Sequence, residues 1–293
     1  MHRFIPYLII AAVLLAAFIA VELFRYYTAR KGPRARFSQK PERFPGQSLM
    51  ARMDELNEAL TIQAASLLAV PLAIYASYVT YLHIDDHPFD RTQTLIVGAI
   101  AVVFMGCAFF KMFRLLGERR GIRTGCEGQM TVGQALNRLM LSGYRVYHDV
   151  PAADFNINHV VVGEKGVFAI ETKTGTQHIT ASRQPDATVA YDGRALHFPG
   201  GTDIEMIAQA KRQSKALAHW LGQAIGEELN VRAVLALPGW LVKRTAAKGM
   251  PVVNPKQFDS LFEHIPSRNL TPEVVARIVH HLDRKCRDVA PQS

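Results

Sequence analysis

Cysteine is scarce in this chain, with only Cys107, Cys126 and Cys286 among 293 residues. No CxxC pair occurs and no cysteine stands at ligand spacing from a histidine. This excludes a disulfide-built scaffold and a zinc-ribbon site, and it fits a reducing compartment. A glycine-rich phosphate loop, a GxSxG elbow and internal repeats are also missing, so P-loop, α/β-hydrolase and solenoid readings fall away. Acidic residues are outnumbered by basic ones, 25 to 34, and the formal net charge is +9. That balance suits an anionic partner, nucleic acid or a lipid surface, without choosing between them.

Apolar sequence is plentiful but unevenly spread. Residues 4–24 carry a single charge, Glu22; residues 62–82 carry none; residues 95–116 carry only Lys111 and Arg114, both late. Each is close to the ~20 residues that cross a bilayer. The first run is longer than the roughly 7–15 residues of a signal-peptide core and has no small-x-small site before Val21, so an uncleaved anchor is expected. The other two have too little apolar helix nearby to bury them and are expected to form a membrane hairpin.

Charge sets the orientation. Arg25, Arg30, Lys31, Arg34, Arg36, Lys40, Arg43 and Arg52 are opposed within residues 25–52 only by Glu42, which assigns the linker 25–61 to the cytoplasm. The loop HIDDHPFDRT carries three Asp against one Arg and belongs outside, whereas Lys111, Arg114, Arg119, Arg120 and Arg123 return the bias. The expectation is three transmembrane helices in an inner or plasma membrane, with the amino terminus outside. Residues 1–116 then form the membrane region and residues 117–293 a cytoplasmic domain. Pro33, Pro41 and Pro45 argue against a continuous helix in the linker, whose cations suit anionic lipid or nucleic acid. His83 and His87, with Asp85, Asp86 and Asp90, form either a metal-binding loop or a polar connection between membrane helices.

In the second half, FNINHVVVGEKGVFAIETK over residues 155–173 places two β-branched runs around a polar turn, a hairpin pattern. Alternation along the second strand projects Glu171 and Lys173 to one face and Thr172 to the other. A carboxylate and an ammonium at that spacing suit phosphodiester hydrolysis, the carboxylate holding a divalent cation and the lysine orienting water or stabilising charge. The same pattern also serves as an ordinary surface ion pair.

Gly125, Gly128, Gln129 and Val132 come first, followed by Leu136 and Leu139, and then by Gly143, Tyr144 and His148-Asp149-Val150. All of them precede the hairpin in an order that resembles the nuclease-related domain family, NERD, of the PD-(D/E)xK nuclease-like group. The resemblance continues through NINHVVVG, KGVFAIETKT, ALPGWLV and PVVNPK and covers about residues 120–262. It implies an α/β fold, a restriction-endonuclease-like mixed sheet flanked by helices. It also implies Mg²⁺- or Mn²⁺-dependent cleavage of DNA or RNA. Carried over by position, the family's helix glutamate falls on Gln129, its metal-binding aspartate on Asn158, and its Glu-x-Lys on Glu171 and Lys173. Glu171 and Asn158 would then be the metal ligands. Two carboxylate positions hold amides, which bring no charge to a hard cation. Asp149, Asp154 and Glu127 are candidates for a displaced carboxylate.

Val132, Leu136, Leu139 and Met140 space as an amphipathic helix over 129–142, with Gln129 at the edge of its buried face, either a site residue or a helix-end amide satisfied by backbone. Downstream the sequence predicts a hairpin about Asp192-Gly193, a helix over 203–229 with Lys211, Arg212 and Lys215 off its apolar stripe, and strands over 231–237 and 250–253. A closing helix over 271–286 is capped by Thr271. Two functions follow as expectations: a membrane-anchored, metal-dependent nuclease, or a catalytically weakened domain that binds nucleic acid or serves at the membrane.

Overall fold

The computed structural model describes residues 42–84, 90–152, 155–174, 187–246, 248–266 and 270–287. The expected first span, residues 25–41 of the basic linker, Asp85, Asp86, His87 and Asp154 lie outside the described residues. The described chain divides into two compact units, residues 53–120 in one and residues 42–52 with 121–287 in the other.

Two long helices supply the first unit, α1 (Gln47–Ile84) and α2 (Arg91–Asn137). Both are long and apolar enough to cross a membrane. Leu68, Leu72 and Leu95 are 79%, 68% and 73% exposed, so this apolar surface is not covered by the described protein. Gln63 Nε2 donates to the Ala108 carbonyl at 3.3 Å, Arg119 Nε donates to Asn57 Oδ1 at 2.6 Å, and Tyr78 and Thr94 share a hydroxyl–hydroxyl bond. α1 begins at Gln47, fifteen residues before its apolar run at 62, because the sequence after Pro45 is rich in Met, Leu, Ala and Glu, which favour helix. α2 likewise runs on to Asn137 instead of stopping near 116, and it absorbs the separate helix expected from 129. The isolated glycines between 117 and 128 weaken a helix without ending it. A 3₁₀ turn, Arg138–Ser142, follows.

The second unit is built on a five-stranded mixed sheet in the order β1-β2-β3-β7-β9. β1 (Arg145–Pro151), β2 (Asn156–Gly163) and β3 (Gly166–Thr172) are antiparallel neighbours, and β7 (Val231–Ala236) and β9 (Val252–Val253) add in parallel beside β3. A smaller sheet has the order β6-β5-β4-β8, from β4 (Ala187–Tyr191), β5 (Leu196–Phe198), β6 (Gly201–Asp203) and β8 (Trp240–Arg244). Helix α3 (Glu205–Ile225) links the two sheets, and α4 (Phe258–His264) and α5 (Pro272–Arg287) complete the unit.

Side-chain alternation explains the layers. On β3, Val167 and Ala169 meet Leu217 and Leu221 of α3 and Ile278 and Leu282 of α5. Phe168 and Ile170 turn to the opposite face, against Val132 and Leu136 of α2 and Phe258 and Phe262 of α4. Each fully buried aliphatic or aromatic side chain contributes about 1.5–3 kcal/mol, so β3, buried along its whole length, anchors both cores. α2 approaches the segment after β3 closely: a Cβ on Gly128 would lie 2.1 Å from Thr174 Cγ2, so a larger residue there would have to displace Thr174.

Candidate functional site

Glu171 is the penultimate residue of β3 and sits beside the carboxyl end of the parallel β3–β7 pair, paired with Leu235. Its parity with Val167 and Ala169 directs it to the α3 face, where Gln209 Nε2 donates to Oε1 at 2.9 Å. The Lys173 ammonium lies 3.2 Å from the same oxygen, so the two charges do share one face. Glu171 is only 3% exposed. Burial raises its pKa, and the Lys173 charge, the Lys173 hydrogen bond and Gln213 pull it down; the net shift is upward, so desolvation outweighs the ion pair. The other carboxylate oxygen, Oε2, is buried without a hydrogen-bond partner among the described residues, as are Oε1 of Gln213 and Oε1 of Gln129.

Asn158 has a different occupation. The β2–β3 ladder runs from Gly163↔Gly166 to His159↔Ile170. One step beyond, Asn158 Oδ1 accepts the Thr172 backbone N–H at 2.8 Å, so the side chain extends the ladder. An aspartate could accept that N–H with one oxygen and offer the other to a cation. Asn158 has only an NH₂ at its second position, which donates and carries no lone pair for a metal.

Two of the candidate replacement carboxylates, Asp149 and Glu127, are among the described residues, and both are committed elsewhere. Asp149, fully buried, takes a left-handed φ of 49°, which breaks the alternation of β1: Val146 packs in one layer, and Tyr147 and Val150 in the other. Its Oδ2 accepts from Arg43 Nη1 and from the Ser48 backbone N–H, both at 2.9 Å. Its Oδ1 accepts from Ser48 Oγ at 2.7 Å and from Asn156 Nδ2 at 3.1 Å. Glu127 is exposed and pairs with Arg123 at 2.9 Å within α2. No group of three or more His, Cys, Asp or Glu able to hold a metal ion occurs among the described residues. The donor set around Glu171, one carboxylate with amides and an ammonium, does not fit Mg²⁺ or Mn²⁺, which are held largely by carboxylate oxygens. Of the expected ligand pair, Glu171 keeps Oε2 without a hydrogen-bond partner among the described residues, whereas the Asn158 oxygen accepts the Thr172 N–H.

Sequence reasoning missed Gln209 and Gln213, although Gln213 lies within the buried stripe of Ile207, Ala210, Ser214 and Leu217, where an apolar residue would be ordinary. It also missed a buried chain on the opposite sheet face. His148 and His159 pair across β1 and β2, Nδ1 to Nδ1 at 2.9 Å. His148 Nε2 lies 3.0 Å from Asn137 Oδ1, and His159 Nε2 lies 3.2 Å from Thr172 Oγ1. Asn137 Oδ1 can only accept, so the directions follow. His148 Nε2–H donates to Asn137, His159 Nδ1–H donates to His148 Nδ1, and the Thr172 hydroxyl donates to His159 Nε2. Both rings are neutral, and burial holds His148 down to about 4 and His159 well below the usual histidine range.

Residues 124–238 match the nuclease-related domain, NERD. Among curated proteins none matches the chain significantly. A solved structure, that of Pyrococcus furiosus SfsA in complex with Ca²⁺, is 15% identical, with 58% of this chain and 54% of that one covered, at a TM-score of 0.18. The chain thus spans about half the length of that protein. By the family match, with a mixed sheet flanked by helices beneath it, this chain carries a nuclease-related domain of the PD-(D/E)xK-related kind over residues 124–238.

Proposed function

We propose that this chain is a membrane-associated protein whose nuclease-related domain holds nucleic acid without efficient metal-dependent cleavage. One observation carries the reading: among the described residues Glu171 is the sole carboxylate at the Glu-x-Lys position, bonded to Lys173 and Gln209, while Asn158 spends its oxygen on the Thr172 N–H. The net charge of +9 and the exposed Lys211 and Lys215 on α3 support a polyanionic partner. The exposed apolar surfaces of α1 and α2 support a bilayer around them, and the positive-inside bias supports a cytoplasmic domain.

Cleavage and binding of labelled single- and double-stranded DNA and RNA by the full chain, with Mg²⁺ or Mn²⁺, separate this reading from an active nuclease. The expected result is binding that weakens steeply with salt and no cleavage above that of Glu171→Ala. The double substitution Asn158→Asp with Gln129→Glu gains cleavage. Metal-dependent cleavage by the unsubstituted chain that Glu171→Ala abolishes would overturn the reading.

A further inference from the structure

Residues 42–50 lead into α1 and belong to the same compact unit as the nuclease-related domain. Their packing is specific. Arg43 binds both the carboxylate and the backbone carbonyl of Asp149, at 2.9 Å each. Asp149 in turn accepts the Ser48 N–H at the first turn of α1, so a carboxylate from β1 caps that helix in a position where anions are favoured. Glu42 pairs with Arg287 of α5 at 2.7 Å. Between these anchors the chain lies on α2. A Cβ on Gly133 would lie 2.4 Å from Pro45 Cγ, and one on Gly125 3.3 Å from Leu49 Cδ1. Gly46, at a φ of 76°, brings its backbone over Cys126 and Gln129: a Cβ there would lie 3.2 Å from Cys126 Sγ and 3.6 Å from Gln129 Oε1.

The segment therefore covers the helix position where the family resemblance places a glutamate, and it consumes the buried carboxylate of β1. We propose that residues 42–50 are a releasable strap over the Gln129 and Asp149 side of the domain, and that nucleic acid binds more tightly when the strap is lifted. The second half of this statement rests on the nucleic-acid-binding reading above; the first half does not. Removing Arg43 alone leaves the buried Asp149 charge with only Ser48 and Asn156, whereas lifting the whole strap lets both charges hydrate. The natural motion is thus of the strap as a unit. Reciprocity then requires that nucleic acid favour the lifted state, since a ligand that binds one state better shifts the population toward it.

Cys126, buried beneath Gly46, reports the motion without any ligand. In the full chain in lipid nanodiscs, with Cys107→Ser and Cys286→Ala, the rate of Cys126 modification by a small water-soluble maleimide is measured alongside affinity for a single-stranded oligonucleotide. Arg43→Ala and, without touching a charge, Gly46→Ala are expected to speed modification at least tenfold while Trp220 and Trp240 fluorescence stays native. Both are expected to tighten oligonucleotide binding at least fivefold, and the oligonucleotide is expected to speed modification of the unsubstituted strap. Unchanged modification in both variants overturns the strap, whatever the binding shows. Faster modification with unchanged affinity overturns its inhibitory role. Faster modification with no binding by any form leaves the cover standing and sinks the nucleic-acid reading instead.

Discussion

Glu171 concentrates the tension of the site. A carboxylate that is 3% exposed is held against desolvation by Lys173 and two glutamines of α3, and its pKa still shifts upward. The direction has a consequence for stability. A carboxyl whose folded pKa lies above its unfolded value favours folding in its protonated form, and that advantage is lost as pH rises through the folded pKa. Where the unfolded chain has already released this proton, Glu171 therefore costs stability. Glu171→Gln, which keeps the shape and the bond from Gln209 while removing the charge, is expected to raise the melting temperature of the full chain in detergent micelles. The tryptophan fluorescence is a suitable readout because both tryptophans, Trp220 and Trp240, lie in the second compact unit with Glu171. A lower melting temperature would mean that the ion pair with Lys173 outweighs desolvation.

At the scale of elements, the His148–His159 pair ties β1, β2, the end of β3 and the end of α2 together. Both rings have folded pKa values below the ordinary 6.5, so the unfolded chain binds more protons as pH falls. Stability is then full above about pH 6.5 and declines on acidification toward about 4 for His148, on which the Glu42 charge acts weakly in the opposite sense. The loss at pH 5 relative to pH 7 is expected to be roughly 2 kcal/mol from His148 alone. Urea denaturation at the two pH values should show this loss, and His148→Gln should flatten it; comparison with that variant isolates the pair from Glu171, which acts in the opposite direction. An equal pH dependence in both proteins would remove the pair as its source. These elements were unequally legible in the sequence. β2 and β3 stood out because β-branched runs flank a Gly-Glu-Lys-Gly turn, and α5 because Thr271 and Pro272 open an apolar stripe; Thr271 Oγ1 does accept the Val274 N–H, at 3.4 Å. β1 did not, because His148 and Asp149 interrupt its alternation, and β6 and β8 are three and five residues long. Asp149 stood as a spare carboxylate in the sequence, since its partner Arg43 is 106 residues away. Glu171 and Lys173 were paired from strand parity alone, whereas Gln209 comes from a helix 38 residues on and only folding brings it there.

At the scale of the whole molecule, two helices long and apolar enough for a bilayer accompany a nuclease-related domain in which, among the described residues, no group of three or more His, Cys, Asp or Glu could hold a metal ion. Asn158 completes a strand ladder, and Gln129 lies against Gly46 of the segment 42–50. The most direct test is the binding of Mn²⁺ to the full chain, followed by the loss of its free-ion electron paramagnetic resonance signal, for the unsubstituted protein, for Glu171→Ala and for Asn158→Asp with Gln129→Glu. The account predicts no saturable site in the unsubstituted protein at millimolar Mn²⁺, on the order expected for a lone carboxylate, and one site in the double variant. A single site in the unsubstituted chain that disappears in Glu171→Ala would contradict it.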